Sequence, residues 1–512
     1  MHSPLRVLTL VLLLVCGTVD LPLKAQQRID SPVFKRPPLP QPPLLHTSDV
    51  LEDIWQTFLL SRKANAGDPI AQHELGVRYM IGKGIEADSG KAAYWFGKAA
   101  AQNMLASRFN LGILSFNGWG VTWNPFEAFR AFRIAAEGEM PEAEYILGLF
   151  YAENMVVPID YNKALYWVRK AAASGSSAAK EALPELERAA VRYAERRATG
   201  TDTVHHIPVV PIALTDTSTA PQGGAILQSA MLGADPDMRR ALGLAKLLDS
   251  ELQLDSVGMH ALRAAADVGS PEALALLGRC AEEGLGGSRD DVDAIASYVR
   301  ATRMGSPRAE ELLQSLLKKP GILQALKNRA RRDDPEAMCA WSALHALGFE
   351  GVLFQAQALL MPSQTVQLLK KAADREYVPA LIELGLWYFA GRWVNADAAR
   401  ALELWEKAAS LGSREAELRL VAVRLREETD SAAVARDLGV VRRGMEDGSV
   451  LAEVTLGYCY ESGRGVQPRV AEAVRLYRVA ARRGSLDAYR ALRRLHDERR
   501  PADPDFAIPE EE

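Results

Sequence analysis

The side chains in this chain that could do chemistry lack the partners that their chemistry requires. His73-Glu74 supplies the first two residues of a zinc-protease helix, but no second histidine follows four residues after the first. The acidic run Asp290, Asp291 and Asp293 lacks the glycine and the final glutamate of a calcium loop, and it suits a helix N-terminus instead. The sequence also contains no Gly-x-Ser-x-Gly elbow and no phosphate-binding loop. We therefore expect no catalytic residue.

The sequence also lacks the residue spacings of a metal or cofactor site. His205-His206 has no carboxylate or cysteine at ligand spacing, and the chain has no Cys-x-x-Cys pair. Cys280 and Cys459 occupy equivalent positions in an apolar pattern, and Cys339 lies in a similar segment. Because cysteine is often buried for its apolar character, we predict that these three are small core residues. No metal site and no cofactor is expected.

A repeat of 36 residues defines the elements that must position any binding residue. The dipeptide Leu-Gly recurs at 75–76, 111–112 and 147–148, and Ala-Ala recurs at 99–100, 135–136 and 171–172. Alanine stands sixteen and twenty-three residues after the glycine in six units. The six glycines are Gly76, Gly112, Gly148, Gly278, Gly385 and Gly457.

Each repeat has the periodicity of a helical hairpin. Ala71, Leu75 and Tyr79 follow the spacing of one helix face, and Gly82 then ends the helix. Positions 92, 95, 96 and 99 form the face of a second helix. Two helices approach closely only where side chains are small, so Gly76 is predicted to be a contact point. The sequence thus predicts an all-α fold, an α/α solenoid of helix-turn-helix repeats.

The repeat resembles a known family. Ala-x3-Leu-Gly-x2-Tyr, a Gly-x-Gly turn and Ala-x2-Trp/Leu-x3-Ala-Ala-x2-Gly resemble the Sel-one-like repeat, a relative of the tetratricopeptide repeat. The resemblance is clear in six units and, with degenerate units, covers most of residues 65–495. Two degenerate units are predicted between Gly278 and Gly385, and residues 344–360, the least regular part, are predicted to carry an inserted loop. The resemblance implies an adaptor that binds proteins. Cysteine-rich members are associated with penicillin binding or β-lactamase activity, but this chain lacks their cysteine pairs.

The N-terminal residues favour export. Residues 1–25 combine Arg6, an apolar run from Val7 to Val15 and a possible cleavage site at Leu23-Lys24-Ala25. They read as a signal peptide and are too short for a convincing membrane span. The proline-rich linker 26–48 suits an extended tether or an irregular mature terminus. We expect an exported protein, periplasmic or secreted, with no membrane span after signal removal and with possible cell-wall association.

The remaining boundaries follow the repeats and the changes in composition. We predict an N-terminal stack at 49–198, a linker at 199–225 rich in Thr, Pro and Gly, and a C-terminal stack at 226–500. An acidic tail, 501–512, is predicted to be disordered. The net charge of −4 gives no general attraction to nucleic acid.

Nine residues are candidates for binding a partner. First helices line the concave side of tetratricopeptide-like stacks, so residues one turn either side of the repeat glycine are predicted to face the groove. Tryptophans in the turns between helices are further candidates, because interfaces favour tryptophan. Both sets would equally suit core packing. The candidates are His73, Val77, Phe109, Ile113, Phe116, Trp119, Tyr145, Leu149 and Trp393.

These observations favour a non-enzymatic scaffold that binds a protein or peptide in a concave groove. Two alternatives remain open on sequence grounds. One is a cell-wall hydrolase or a penicillin-binding, β-lactamase-like activity of the kind associated with cysteine-rich relatives. The other is a structural spacer at the envelope, which the proline-rich segment would suit.

Overall fold

A computed structural model describes residues 47–199, 256–355 and 359–508. These residues contain 23 α-helices and no β-strand, which confirms the predicted all-α class. By their packing they form two compact units. We call residues 47–199 with 496–508 the N-terminal unit, and residues 256–495 the C-terminal unit.

The N-terminal unit contains eight helices and the C-terminal segment 496–508. The helices are α1 Thr47–Asn65, α2 Pro69–Ile81, α3 Ser89–Ala101, α4 Leu105–Asn117, α5 Pro125–Glu137, α6 Pro141–Glu153, α7 Tyr161–Ala173 and α8 Ser177–Thr199. Hairpins α2–α3, α4–α5 and α6–α7 are the three regular repeats, with α1 before them and α8 after them.

The C-terminal unit contains the other helices. They are α9 Ser256–Asp267, α10 Pro271–Glu283, α11 Asp291–Arg303, α12 Pro307–Leu317, α13 Ile322–Arg331, α14 Pro335–Ala346, α15 Glu350–Gln355, α16 Pro362–Asp374, α17 Val378–Ala390, α18 Ala398–Ser410, α19 Arg414–Glu427, α20 Ser431–Glu446, α21 Val450–Ser462, α22 Val470–Arg482 and α23 Leu486–Asp497. The last helix runs two residues past the unit, and a 3-10 turn, Pro504–Phe506, follows.

The turn inside the first two regular hairpins depends on glycine, Asn154 takes that place in the third, and a side chain caps the second helix in all three. In the first repeat Gly82 ends α2 with a φ of 71°, and Gly84 has a φ of 66°. A Cβ atom on Gly84 would lie 2.2 Å from the carbonyl oxygen of Asp53, so only glycine fits there. Asp88 then caps α3, because its carboxylate accepts the backbone N–H of Lys91.

The Leu-Gly signature has a packing explanation. A Cβ atom on Gly76 would lie 2.6 Å from the ring of Phe96, which stands twenty residues later on the second helix. Gly76 is therefore a helix contact point, as the sequence predicts, and a side chain there would push the hairpin apart. The same approach joins Gly112 to Phe132, Gly148 to Val168, Gly278 to Tyr298, Gly385 to Trp405 and Gly457 to Tyr477.

The degenerate repeats also form hairpins. Between Gly278 and Gly385 the helices pair as α12 with α13 and α14 with α16, which gives the two irregular units that the spacing predicts. The short helix α15 lies within residues 344–360, the stretch predicted to carry an insertion. Val421 replaces the repeat glycine in α19 and is fully buried.

Several predicted segments fall outside the described residues. They are the signal peptide 1–25, the proline-rich linker up to residue 46, the linker from residue 200 and residues 226–255 of the C-terminal stack. Residues 47 and 48 of the predicted linker begin α1, and residue 199 ends α8.

The C-terminal unit closes on itself. The loops between repeats bring Gly305 and Gly484 together, and a Cβ atom on Gly305 would lie 1.8 Å from the carbonyl oxygen of Gly484. Both glycines have φ values above 90°. Two loops far apart in sequence therefore meet at a point where any side chain would separate them.

Candidate partner-binding surface

Six of the nine predicted binding residues are core residues. They are at most 9% exposed: Val77, Phe109, Ile113, Phe116, Tyr145 and Leu149. Phe109 packs against Phe132 at 5.4 Å between ring centroids, and Phe116 packs against Phe150 at the same distance. Their prediction as groove residues is wrong, because the first helix of each hairpin is covered by its own second helix and by the next repeat.

The other three predicted residues keep some exposed surface but form no common site. His73 Nδ1 lies 2.8 Å from Ser107 Oγ of the next repeat, and burial lowers the pKa of His73, an effect that Glu74 opposes. Trp119 is partly exposed in the turn after α4. Trp393 has a φ of 65° and stacks on Trp387 at 5.7 Å. Each of the three contacts its own hairpin or the next one.

The three described cysteines are free and buried, which confirms them as core residues. Burial raises the pKa of the Cys339 thiol to about 12 and that of Cys459 to about 11, so neither is a ready nucleophile. Within the described ranges no cluster of three or more metal-ligating side chains occurs. None of the helices described is long and apolar enough to cross a bilayer.

Buried ion pairs occupy the interior of the C-terminal unit. Glu415 is 1% exposed and lies 3.0 Å from Arg303, 3.4 Å from Arg300 and 2.8 Å from Arg419. Burial alone would raise the pKa of Glu415, but the three guanidinium groups hold it below its ordinary value. Arg303 also contacts Glu383, at 3.1 Å.

A second buried cluster lies where the C-terminal unit closes. Arg483 lies 2.6 Å from both Glu272 and Glu453, and it donates a hydrogen bond to the carbonyl oxygen of Gly448. Burial would lower the pKa of Arg483, yet the two carboxylates raise it. These charges satisfy one another inside the unit, so they are not available to a partner.

The N-terminal unit carries a different kind of surface on α5. Asn124 caps this helix and Pro125 begins it, and positions 126, 129, 130 and 133 share one face. That face presents two rings followed by two cations. We call it the α5 surface: Phe126, Phe129, Arg130 and Arg133.

The two rings of this combination occur in one of the six regular repeats, whereas the two arginines recur in α22 as Arg475 and Arg478. The equivalent positions of α18 in the C-terminal unit are Ala399, Leu402, Glu403 and Glu406, which lack the rings and reverse the charge. In α3 they are Gly90, Ala93, Tyr94 and Gly97. The repeat fold does not require rings at these positions, and the rings distinguish α5 from the second helices of the other regular repeats.

Residues 503–506 of the chain cover the α5 surface. Phe506 is 1% exposed, with its ring 5.1 Å from Phe126 and 5.7 Å from Phe129, both edge to face. The guanidinium carbon of Arg130 lies 5.1 Å from the centroid of the Phe506 ring. Asp503 and Asp505 form ion pairs with Arg130 at 3.1 Å and Arg133 at 2.9 Å.

Arg500 holds the start of this segment in place. It donates hydrogen bonds to the carbonyl oxygens of Met155 and Val156, in the turn after α6, at 2.9 and 3.0 Å. It also donates to the carbonyl oxygen of Phe506 and so folds the segment back. The prediction of a disordered tail is therefore wrong for residues 501–508, since a buried ring and paired carboxylates fix them; residues 509–512 lie outside the description.

Comparison with known proteins identifies the repeats. The Sel1 repeat matches residues 69–104, 105–139, 141–176, 271–306, 378–413 and 450–485. These six segments of the chain are Sel1 repeats. The Sel1 repeat fold is generally a protein-interaction fold. The matched segments are the hairpins in which an aromatic or valine side chain packs on the repeat glycine.

Two curated relatives differ in how much of this chain they match. An ERAD-associated E3 ubiquitin-protein ligase component, HRD3B of Arabidopsis thaliana, is 35% identical over 109 residues. That match covers 21% of this chain and spans only 17% of the plant protein's length. An uncharacterized protein of Neisseria meningitidis is 25% identical over 386 residues, covering 66% of this chain and 79% of the relative.

Two solved structures are also similar to this chain. One is a protective antigen of uropathogenic Escherichia coli strains, described as displaying an SLR fold. It is 22% identical, covers 87% of this chain and 91% of its own, and has a TM-score of 0.29. The other is a Sel1 repeat protein of Oxalobacter formigenes, 33% identical over 25% of this chain and 98% of its own, with a TM-score of 0.24.

Proposed function

We infer that this protein is a non-enzymatic scaffold that binds another protein through the N-terminal unit. The observation that carries the proposal is the α5 surface, where the regular repeat is modified to hold an extended segment of chain. Interior charges of the C-terminal unit pair with one another, so the N-terminal unit is the better candidate for a partner. The name of the plant relative, a ligase component, is consistent with a role in an assembly.

We also propose that the scaffold is exported and acts in the periplasm or outside the cell, where it can associate with the cell wall. The support is the charged start, apolar run and cleavage site of residues 1–25. Fractionation of cells followed by N-terminal sequencing tests this step. An exported protein that begins at residue 26 is the expected result, and an intact Met1 in the cytosol would contradict it.

The scaffold is tested by chemical crosslinking of the tagged protein in its native envelope, followed by mass spectrometry. Replacing Arg130→Glu and Arg133→Glu together should abolish capture of a specific partner, because both side chains are about one-third exposed and carry the charge of the α5 surface. The matched control is Glu403→Arg with Glu406→Arg at the equivalent positions of α18. Equal loss in both variants, or in neither, would contradict the proposal.

Fluorescent penicillin distinguishes the scaffold from an enzyme that acts on cell-wall material. We expect no covalent labelling of the mature protein. Labelling that depends on a single serine would overturn the non-enzymatic assignment.

A further inference from the structure

The chain's own C-terminal segment shows which chemistry the α5 surface accepts. One ring enters the space beside Phe126 and Phe129, and two carboxylates meet Arg130 and Arg133. The segment that supplies them reads Asp503-Pro504-Asp505-Phe506. The α5 surface contacts both the ring and the two carboxylates, and Arg130 takes part in both kinds of contact.

Three features make this segment replaceable. It follows the last described helix and belongs to no repeat, so it forms no helix of any hairpin. Its two ion pairs to α5 are solvent-exposed, with the carboxylate side chains of Asp503 and Asp505 37% and 57% exposed, and exposed pairs hold weakly. A single ring, that of Phe506, provides the buried apolar contact with α5.

We propose that the α5 surface is an exchangeable binding site for an Asp-x-Asp-Phe segment of a partner protein, which displaces residues 503–506. This proposal rests on the proposed scaffold function and names its partner class. The charge complementarity is local: Arg130 and Arg133 face acidic residues, although the chain as a whole carries a net charge of −4. The bound C-terminal segment acts as a tethered competitor that a partner must outcompete.

Tethering sets the size of the effect to be measured. A tethered ligand competes at an effective concentration in the millimolar range, so an occupied site binds an external ligand correspondingly more weakly. Emptying the site by Phe506→Ala should therefore strengthen binding of an external peptide by at least about tenfold. The probe is a fluorescein-labelled peptide with the sequence of residues 502–508, measured by fluorescence anisotropy on the full chain.

Three controls define the result. A probe in which the phenylalanine is replaced by alanine should not bind. Adding Arg130→Glu and Arg133→Glu to the Phe506→Ala chain should abolish binding of the intact probe. A second emptied variant, Asp503→Lys with Asp505→Lys, keeps Phe506 and should bind the probe more tightly than wild type, so the conclusion does not depend on one variant that must fold.

Other results would overturn the proposal. Equal affinity of wild type and the emptied variants would show that the segment does not occupy the binding site, and no binding to the emptied variants would show that the class of ligand is wrong. A doubled mass in light scattering that Phe506→Ala abolishes would show that a second copy is the occupant. The probe could fail to bind while crosslinking in the envelope still captures a partner, with that capture depending on Arg130 and Arg133. That result would support the scaffold function and contradict only the Asp-x-Asp-Phe ligand.

Discussion

Both units are built from the same helical hairpin, but their charged side chains lie in different environments. In the C-terminal unit, loops between repeats meet at Gly305 and Gly484, and buried carboxylates pair with arginines far away in sequence. In the N-terminal unit, one helix presents rings and arginines to an extended segment of chain. The comparison shows that buried charge joins distant parts of the C-terminal unit, whereas the arginines of α5 lie beside rings that the C-terminal segment covers.

The largest effect is expected when the closure of the C-terminal unit is broken. Arg483→Ala would leave Glu272 and Glu453 buried without their cation and should destabilise the unit by about 3–5 kcal/mol. Hydrogen exchange read by mass spectrometry should show faster exchange in the C-terminal unit. The control is Arg490→Ala, whose side chain is 64% exposed and should cost less than about 1 kcal/mol. Equal effects of the two substitutions would contradict the claim that Arg483 stabilises the C-terminal unit.

Acid should weaken the C-terminal unit through Glu415. The ordinary pKa of a glutamate is 4.5, and arginines hold that of Glu415 lower. Because the folded pKa is depressed, the stabilisation is complete above that value and is lost as the pH falls below it. Melting curves between pH 6 and pH 3 measure this loss. Glu415→Gln should be less stable at pH 6 and show a shallower decline; an unchanged slope would refute the role of Glu415.

Phe506→Ala should affect the N-terminal unit. Losing the buried ring removes about 1.5–3 kcal/mol of the free energy that holds residues 500–508 on α5. Faster hydrogen exchange in that segment and in α5 is the expected readout. Phe389→Ala is the matched control, because Phe389 is 46% exposed and its removal should have little effect. Unchanged exchange in α5 would show that the segment does not rest there.

The smallest effect belongs to the exposed ion pair between Asp505 and Arg133. Asp505→Asn should cost less than about 1 kcal/mol, since both side chains are solvent-exposed. Raising the salt concentration should reduce even this difference, because ions screen exposed charges. A larger, salt-independent effect in hydrogen exchange would mean that the pair is buried when the segment is bound.

Local patterns predicted the fold well. The Leu-Gly and Ala-Ala periods predicted the helical hairpins, and the degenerate spacing between Gly278 and Gly385 predicted two further pairs. Periodicity also led to the wrong prediction that Phe109 and Tyr145 face the groove. It identifies the apolar face of a helix without showing how many neighbouring helices cover that face. A first helix packed on two sides has more interior positions than a single stripe suggests.

The α5 surface could not be found from local patterns. Arg130 and Asp503 are 373 residues apart, and no periodicity links them. One signal was present in the sequence: the rings of Phe126 and Phe129 depart from what the same positions hold in the other five regular repeats. Comparing equivalent positions for what differs, as well as for what recurs, would have singled out this helix.

Photo-crosslinking from matched positions tests the central claim most directly. Glu127 on α5 and Arg400 on α18 lie at the same repeat position, and both are exposed. A photoreactive residue at position 127 should capture a specific partner in the native envelope, and Arg130→Glu with Arg133→Glu should abolish that capture. Position 400 should capture none. Equal capture from both positions, or capture from position 400 alone, would contradict the division of roles between the two units.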